Sequence, residues 1–346
     1  MLQGSIVSGN EAEGSGGGIF NDSGVITLRG STISGNASND GGGIFNLDGT
    51  LAVVDTTVRG NQAMEGSGGI RNVSGTVELV TTTVSENQAG VGPGGGIRNT
   101  SGVITLSSSR VSRNTSDVAG GGIFNGSGAI ELVDTDVSGN QAFDSSGGGI
   151  FNRDGTMVLA NTTVSGNQAG DASGFGTGSG GGIFNGSGAV DLANTTISGN
   201  QSFGNSPTFG AGGGISTEGG VVTLNGSTIT GNIAQEGGGG IRNVAGMVEL
   251  VNTIISGNSA ASSPDCSGSL TSLGHNLIGD ATTCGYTSAA GDLVGTVAGP
   301  IDPQLGLLQD NGGLTLTHAL LPGSPAVDAG DTTSCLDADQ RGVVRP

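Results

Sequence analysis

Two carboxylates two residues apart, Asp134 and Asp136, could face one side of an extended chain, as acid–base work on a glycosidic bond requires. Arg110 stands 26 residues before Asp136, and an arginine base beside calcium-holding carboxylates would suit elimination from a polysaccharide instead. The same spacing lets Arg110 and Asp136 neutralise each other, which is the plainer reading. Glu78, Glu131, Asp191 and Glu249 recur at one place in a repeat, but in alternate copies, so they read as a solvated face. His275 and His318 have no second His or Cys at a metal-binding spacing, and structural hydrogen bonds are expected of both. Asp337 and Asp339 could hold calcium, although no calcium-loop signature surrounds them, and no cofactor is expected. No Gly-x-Ser-x-Gly nucleophile turn stands between a strand and a helix.

The elements that must position these residues are repeats. The 346 residues contain 73 Gly, no Trp, one Tyr and no Lys, and the net charge is −19. Such acidity repels phosphate backbones and anionic lipid, so nucleic acid is excluded as a partner. No run is long and apolar enough for a membrane-spanning helix. Gly-Gly-Gly-Ile followed by Phe or Arg and Asn opens at Gly16, Gly41, Gly94, Gly120, Gly147, Gly180 and Gly238, with relaxed copies at Ser67 and Gly212. Each of these nine units closes on an Asn after 21 residues, from Asn36 to Asn258. Length varies only in the connections, from 4 residues (37–40) to 12 (168–179). A fixed frame with variable joints is a stacked repeat, not low complexity.

Within the frame, Ile holds position 4 and Gly position 9 in every unit, and positions 11, 13 and 18 are apolar. Apolar β-branched residues two apart indicate strands, and no helical periodicity appears. One unit cannot bury its own apolar face, but a pile of units can. The spacing predicts an all-β chain: a right-handed single-stranded parallel β-helix with three short strands per turn, about nine regular turns and an irregular C-terminal cap. Identical residues then repeat every ~4.8 Å, giving Ile columns inside and Asn columns at position 6. The constant Gly at position 9 supplies either a positive-φ bend or a close backbone approach. Residues 1–258 form the β-helix, with an incomplete first turn at 1–10, and 259–346 a second module. Ser5 to Asn10 repeat the last third of a unit, and no basic-then-apolar leader precedes them. A piece of a longer chain is therefore expected, or an end that pairs with something.

Position 5, pointing away from the Ile column, reads Phe20, Phe45, Arg71, Arg98, Phe124, Phe151, Phe184, Ser216 and Arg242. One reading makes it an exposed contact stripe. The other has connections 168–179 and 201–211, which carry Phe175, Phe203 and Phe209, fold over Phe151 and Phe184. Position 17 carries Thr32, Thr57, Thr83, Thr163, Thr196 and Thr228, but Arg110 and Asp136 break the flat hydroxyl row that ice binding would need.

The last 88 residues hold all three Cys; a Cys266–Cys284 disulfide would close a modest loop and leave Cys335 over, favouring an oxidising compartment. Asp302-Pro303-Gln304-Leu305-Gly306, Asp310-Asn311-Gly312-Gly313, Thr317-His318-Ala319-Leu320, Gly323-Ser324-Pro325-Ala326 and Asp339-Gln340-Arg341-Gly342 together resemble the closing module of bacterial choice-of-anchor Q domain proteins. The units are also similar to the repeats of polymorphic outer-membrane proteins. The resemblance implies a secreted bacterial surface protein and no reaction. The expected function is a non-catalytic extracellular or cell-surface module, rigid, adhesive and able to self-associate into filaments. Its partner would be a surface protein, a glycan or a second copy. The alternative is a polysaccharide lyase or hydrolase, against which the near-absence of Trp and Tyr counts.

Overall fold

The computed structural model describes residues 1–171, 177–204 and 210–345. Three parallel sheets form a solenoid of about ten turns, consistent with a right-handed parallel β-helix, and no helix occurs among the described residues. One turn shows the plan. Ile44–Asn46 and Thr50–Val54 belong to the first and largest sheet, Thr57–Arg59 to the second, and Gln62–Ala63, just past the closing Asn, to the third. Each residue pairs with its equivalent above and below: Ile70 lies in register with Ile44 and with Ile97. Those three isoleucines are fully buried, as are Val77, Leu79 and Val111 nearby. A fully buried aliphatic side chain contributes ~1.5–3 kcal/mol, so repetition supplies the core that a single turn lacks.

Amides hold two corners. In the closing column, which runs from Asn10 to Asn258, each Oδ1 accepts the backbone N–H and the side-chain N–H of the Asn one turn earlier. For Asn114 accepting from Asn87 the distances are 3.0 and 2.9 Å. Asn114 Nδ2 in turn donates to Asn140 Oδ1 and to Val84 O, both at 3.0 Å. The column ends on buried Asp265. Its Oδ1 accepts two bonds from Asn258 and its Oδ2 accepts the Asp280 N–H at 2.8 Å. A terminus that must only accept suits a carboxylate. The position-6 column runs through Asn46 and Asn72, bonded at 2.8 Å, and passes from Asn185 to Thr217.

The constant Gly at position 9 serves close approach. Only Gly220 of the nine has positive φ, whereas a Cβ on Gly75 would lie 2.2 Å from Gly49 O. Left-handed backbone sits elsewhere, at frame positions 1, 15 and 20. Position 15 includes Asp55, Thr81, Ser108, Asp134, Asn161, Asn194 and Asn252, with φ between 47° and 51°.

The frame changes after Asn258, but the coil does not stop there. Ser259–Ser262, Cys266–Gly274 and Leu277–Ile278 lay a further turn on the three sheets, and Cys284–Thr287 and Leu293–Val294 begin another. Cys266 takes the inward Ile place, in register with Ile241, and is joined to Cys284 by a disulfide. Beyond Gly295 the chain turns back and runs down the second sheet. It is a lateral strap more than an end cap.

Candidate functional site

Residues 20, 45, 71, 98, 124, 151 and 184 stand one above another in register. Their order is ring, ring, guanidinium, guanidinium, ring, ring, ring. Phe20 and Phe45 stack with centroids 5.4 Å apart, Phe124 and Phe151 at 5.2 Å, and Phe151 and Phe184 at 4.7 Å. Arg71 lies over Phe45 and Arg98 over Phe124, at 5.7 and 5.9 Å. Pointing away from the Ile core does not make this column an exposed stripe, because one-turn spacing presses each face against the next. Phe45, Phe124 and Phe184 are buried, Phe151 is half-buried, and only Phe20, at 52 % exposure, is open. Further along, Ser216 is buried and Arg242 half-buried. The expected cover by connections 168–179 and 201–211 involves residues 172–176 and 205–209, which lie outside the described residues.

The guanidinium pair meets one carboxylate. Asp40, at the end of the shortest connection, places Oδ2 2.9 Å from Arg71 Nε. Desolvation pushes the Asp40 carboxyl up, against the pull of Arg71 and Arg98. Burial, aided by the neighbouring charge of Arg71, pushes Arg98 down to about 10.

Arg110 and Asp136 pair as expected, Nη2 to Oδ2 at 2.7 Å and Nε to Oδ2 at 2.8 Å. With Asp134 they line a small pocket of about 250 Å³ whose far wall is Leu314–Leu316 of the strap. Thr105, Val158 and Thr223 stand between Glu78, Glu131, Asp191 and Glu249 in their column, so those four do not converge.

The strap builds a second and larger groove. It descends as a hairpin, with bridges Leu305–Leu320 and Gln309–Thr317, whose tip reaches Asn161 and Thr163. A second run then walks down the corner of the coil. Asp331 bonds Asn252, Ser334 O accepts from Asn225, Ala338 O accepts from Asn194, and Gln340 reaches Thr162, Thr163 and Thr196. Between the two arms lies a groove of about 620 Å³, floored by one register column: Thr196, Thr228, Ile254, Leu277 and Leu293. The strap buries Thr163 and Thr196, which removes them from any flat hydroxyl face.

Both histidines fasten the strap. His318 Nδ1 lies 2.7 Å from Gly306 O and its Nε2 2.9 Å from Ser198 Oγ; His275 Nδ1 lies 2.7 Å from Ala329 O. Free Cys335 lines the groove, half-buried. Asp339 is occupied by Arg341 and by the N–H groups of Arg341 and Val343. Desolvation would raise its carboxyl, but the Arg341 and backbone hydrogen bonds outweigh that and hold it below the usual carboxylate range. Among the described residues no three His, Cys, Asp or Glu side chains converge on a point where a metal could sit, around Asp337 and Asp339 included.

Strap docking is what sequence reasoning missed. Its signal is Asn at position 15 in turns six, seven and nine, where earlier turns carry Gly30, Asp55, Thr81, Ser108 and Asp134.

No family model matches the chain, and neither does any curated protein. The crystal structure of pectate lyase Pel9A matches it with a TM-score of 0.53 and 16 % sequence identity, over 99 % of this chain and 86 % of that one. The likeness is one of fold. It shows a shared fold, and the chain's own residues decide the chemistry.

Proposed function

We propose that the chain is a non-catalytic contact module of the cell surface or extracellular space: a rigid coil that works through its sides. The observation that carries this reading is how its outward charges are spent. Arg71 faces Asp40, Arg110 faces Asp136, Arg113 faces Glu86, Arg153 faces Asp154 and Arg341 faces Asp339, each as a separate ion pair. Such pairs neutralise their members, so none of these five sets a free acid and a free base across a substrate. The Cys266–Cys284 disulfide and the choice-of-anchor Q resemblance of residues 302–342 support an extracytoplasmic surface setting. The partner is a glycan, another surface protein or a second copy stacked into a filament.

A second reading, a polysaccharide lyase or hydrolase, is favoured by the fold likeness and by Asp134 beside the Arg110–Asp136 pair in the small pocket. One experiment separates the two. The purified protein is incubated with a panel of neutral and acidic polysaccharides, and reducing ends and unsaturated products are followed alongside retention on the immobilised polymers. The contact reading expects retention without turnover. Turnover that disappears in Asp136→Asn would replace it with the enzyme.

A further inference from the structure

The first sheet turns one side to the core and the other outward, and the outward side is regular. From turn two to turn nine its five-residue strands, Thr50–Val54 to Met247–Val251, pair residue for residue without a bulge. Frame positions 10, 12 and 14 therefore make three straight outward lanes. The flanking lanes hold mostly Thr, Val and Ala, and the strap runs beside position 14, where Asn225 donates to Ser334 O. The position-10 side is open, with Thr76, Val103 and Thr156 exposed. In the middle lane Glu78, Glu131, Asp191 and Glu249 take every second turn, with one uncharged residue between neighbours. At ~4.8 Å per turn these carboxylates recur every ~9.6 Å. Elsewhere on the coil Asp40, Glu86, Asp136 and Asp154 each face an arginine. None of the four lane carboxylates has an ion-pair partner among the described residues, and no lane position in turns two to nine is basic. Three of them are exposed and Glu249 is half-buried.

We propose that this face docks a cationic glycan, a β-1,4-linked chain of protonated 2-amino sugars. A second copy presenting the same face is repelled, as is an acidic glycan, so the charge asks for a positive partner. The spacing narrows the choice. Successive sugars of an extended β-1,4 chain face opposite ways, so ammonium groups along one edge recur at every second sugar, a step close to two turns of the coil. An extended basic peptide repeats its same-side charges every ~6.8 Å, two residues of ~3.4 Å, and falls out of step. The glycan lies along the position-10 lane with its ring C–H faces on Val and Ala, its hydroxyls near Thr and its ammonium edge toward the carboxylates. This names the partner in the lateral-contact reading and rests on that reading.

Calorimetric titration tests it at about pH 5.5, above the ~4 of ordinary carboxylates, at constant ionic strength. The probes are the β-1,4 hexamers of D-glucosamine and of N-acetyl-D-glucosamine, the glucosamine dimer, and hexalysine. The glucosamine hexamer reaches three carboxylates and binds saturably. The neutral acetylated hexamer and the dimer, which reaches one carboxylate, bind at least about tenfold more weakly, and hexalysine at least about threefold more weakly. Glu131→Gln combined with Asp191→Asn weakens the glucosamine hexamer at least about threefold, while the unfolding midpoint stays within a few degrees of the parent. Glu131→Gln combined with Val158→Glu keeps the net charge but breaks the two-turn step, and a similar loss is expected. Hexalysine binding as tightly as the glucosamine hexamer overturns the proposal in favour of a basic protein segment. Unchanged affinity in either double variant, or no saturable binding of the glucosamine hexamer, overturns it as well. Its failure leaves the contact-module reading standing, because that reading is decided by turnover and retention on neutral and acidic polymers.

Discussion

Replacing Asn114 by Ala in the middle of the closing column removes four hydrogen bonds at once. Asn87 loses the acceptor for its backbone N–H and for one side-chain N–H, and Val84 O and Asn140 Oδ1 each lose a donor. Asn140 Oδ1 still accepts the residue-114 backbone N–H at 2.9 Å, and Asn87 Nδ2 still donates to Val58 O at 3.0 Å. Two groups, the Asn87 N–H and the Val84 carbonyl, are left with the largest deficit in a fully buried corner. At ~1–3 kcal/mol each, the expected loss is about 2–6 kcal/mol. Asn39→Ala is the control: its amide is exposed, and a change within about 0.5 kcal/mol is expected. Urea unfolding followed by circular dichroism measures both, with hydrogen exchange at Asn87 N–H as the local readout. A loss below about 1 kcal/mol for Asn114→Ala, with Asn87 N–H still protected, would refute the claim that amide columns hold the corners.

Other outcomes follow from the same geometry. Thr81 is β-branched in left-handed backbone, so Thr81→Asn should stabilise by about 0.5–1 kcal/mol in thermal unfolding. Asn194→Ala combined with Gln340→Ala removes strap anchors, and limited proteolysis within 302–345 should accelerate while the coil stays resistant. Reducing Cys266–Cys284 frees a loop closed over 18 residues and should cost about 3 kcal/mol, read as faster hydrogen exchange in 266–287. Desolvation by burial raises the Asp265 carboxyl above its ordinary value of 3.8. Its contribution to stability is therefore fully present below that value and is lost as pH rises through the raised one. Asp265→Asn, which sets an amide NH₂ against the Asp280 N–H, should flatten that part of the stability–pH curve.

The coil was legible because a 21-residue frame leaves no freedom. Ile at position 4 and Asn at positions 6 and 21 fall in register once identical places are stacked, and the Arg110–Asp136 pair follows from the same stacking. Side-chain accessibility was not legible. Phe45 and Phe184 point away from the core yet are buried, because accessibility depends on what lies beside and above a residue and not only on strand alternation. The left-handed corners were readable in part: Gly30 and Gly226 share position 15 with Asn161 and Asn194, a mixture that positive φ explains, though Thr81 in that column obscures it. The strap was hidden for a different reason. It is held by hydrogen bonds from irregular backbone and from the Gln340, His318 and Arg345 side chains to Asn, Thr and Ser of the coil, which carry no periodicity. Cys266 in an Ile place concealed the turn after Asn258 in the same way, since a small apolar residue kept the column while the motif around it was lost.

Everything rests on equal register from turn to turn, and a distance ladder between spin labels measures it directly. Glu78, Glu131, Asp191 and Glu249 stand two turns apart on one strand face. With Cys335 replaced by Ser, cysteines are placed in pairs at Glu78 and Asp191 and at Glu78 and Glu249. At ~4.8 Å per turn the backbone separations are about 19 and 29 Å, so electron–electron resonance distances should grow by about 10 Å from the first pair to the second, each with a single narrow distribution. Equal distances for the two pairs, or broad overlapping distributions, would contradict the stacked coil and every site built on it.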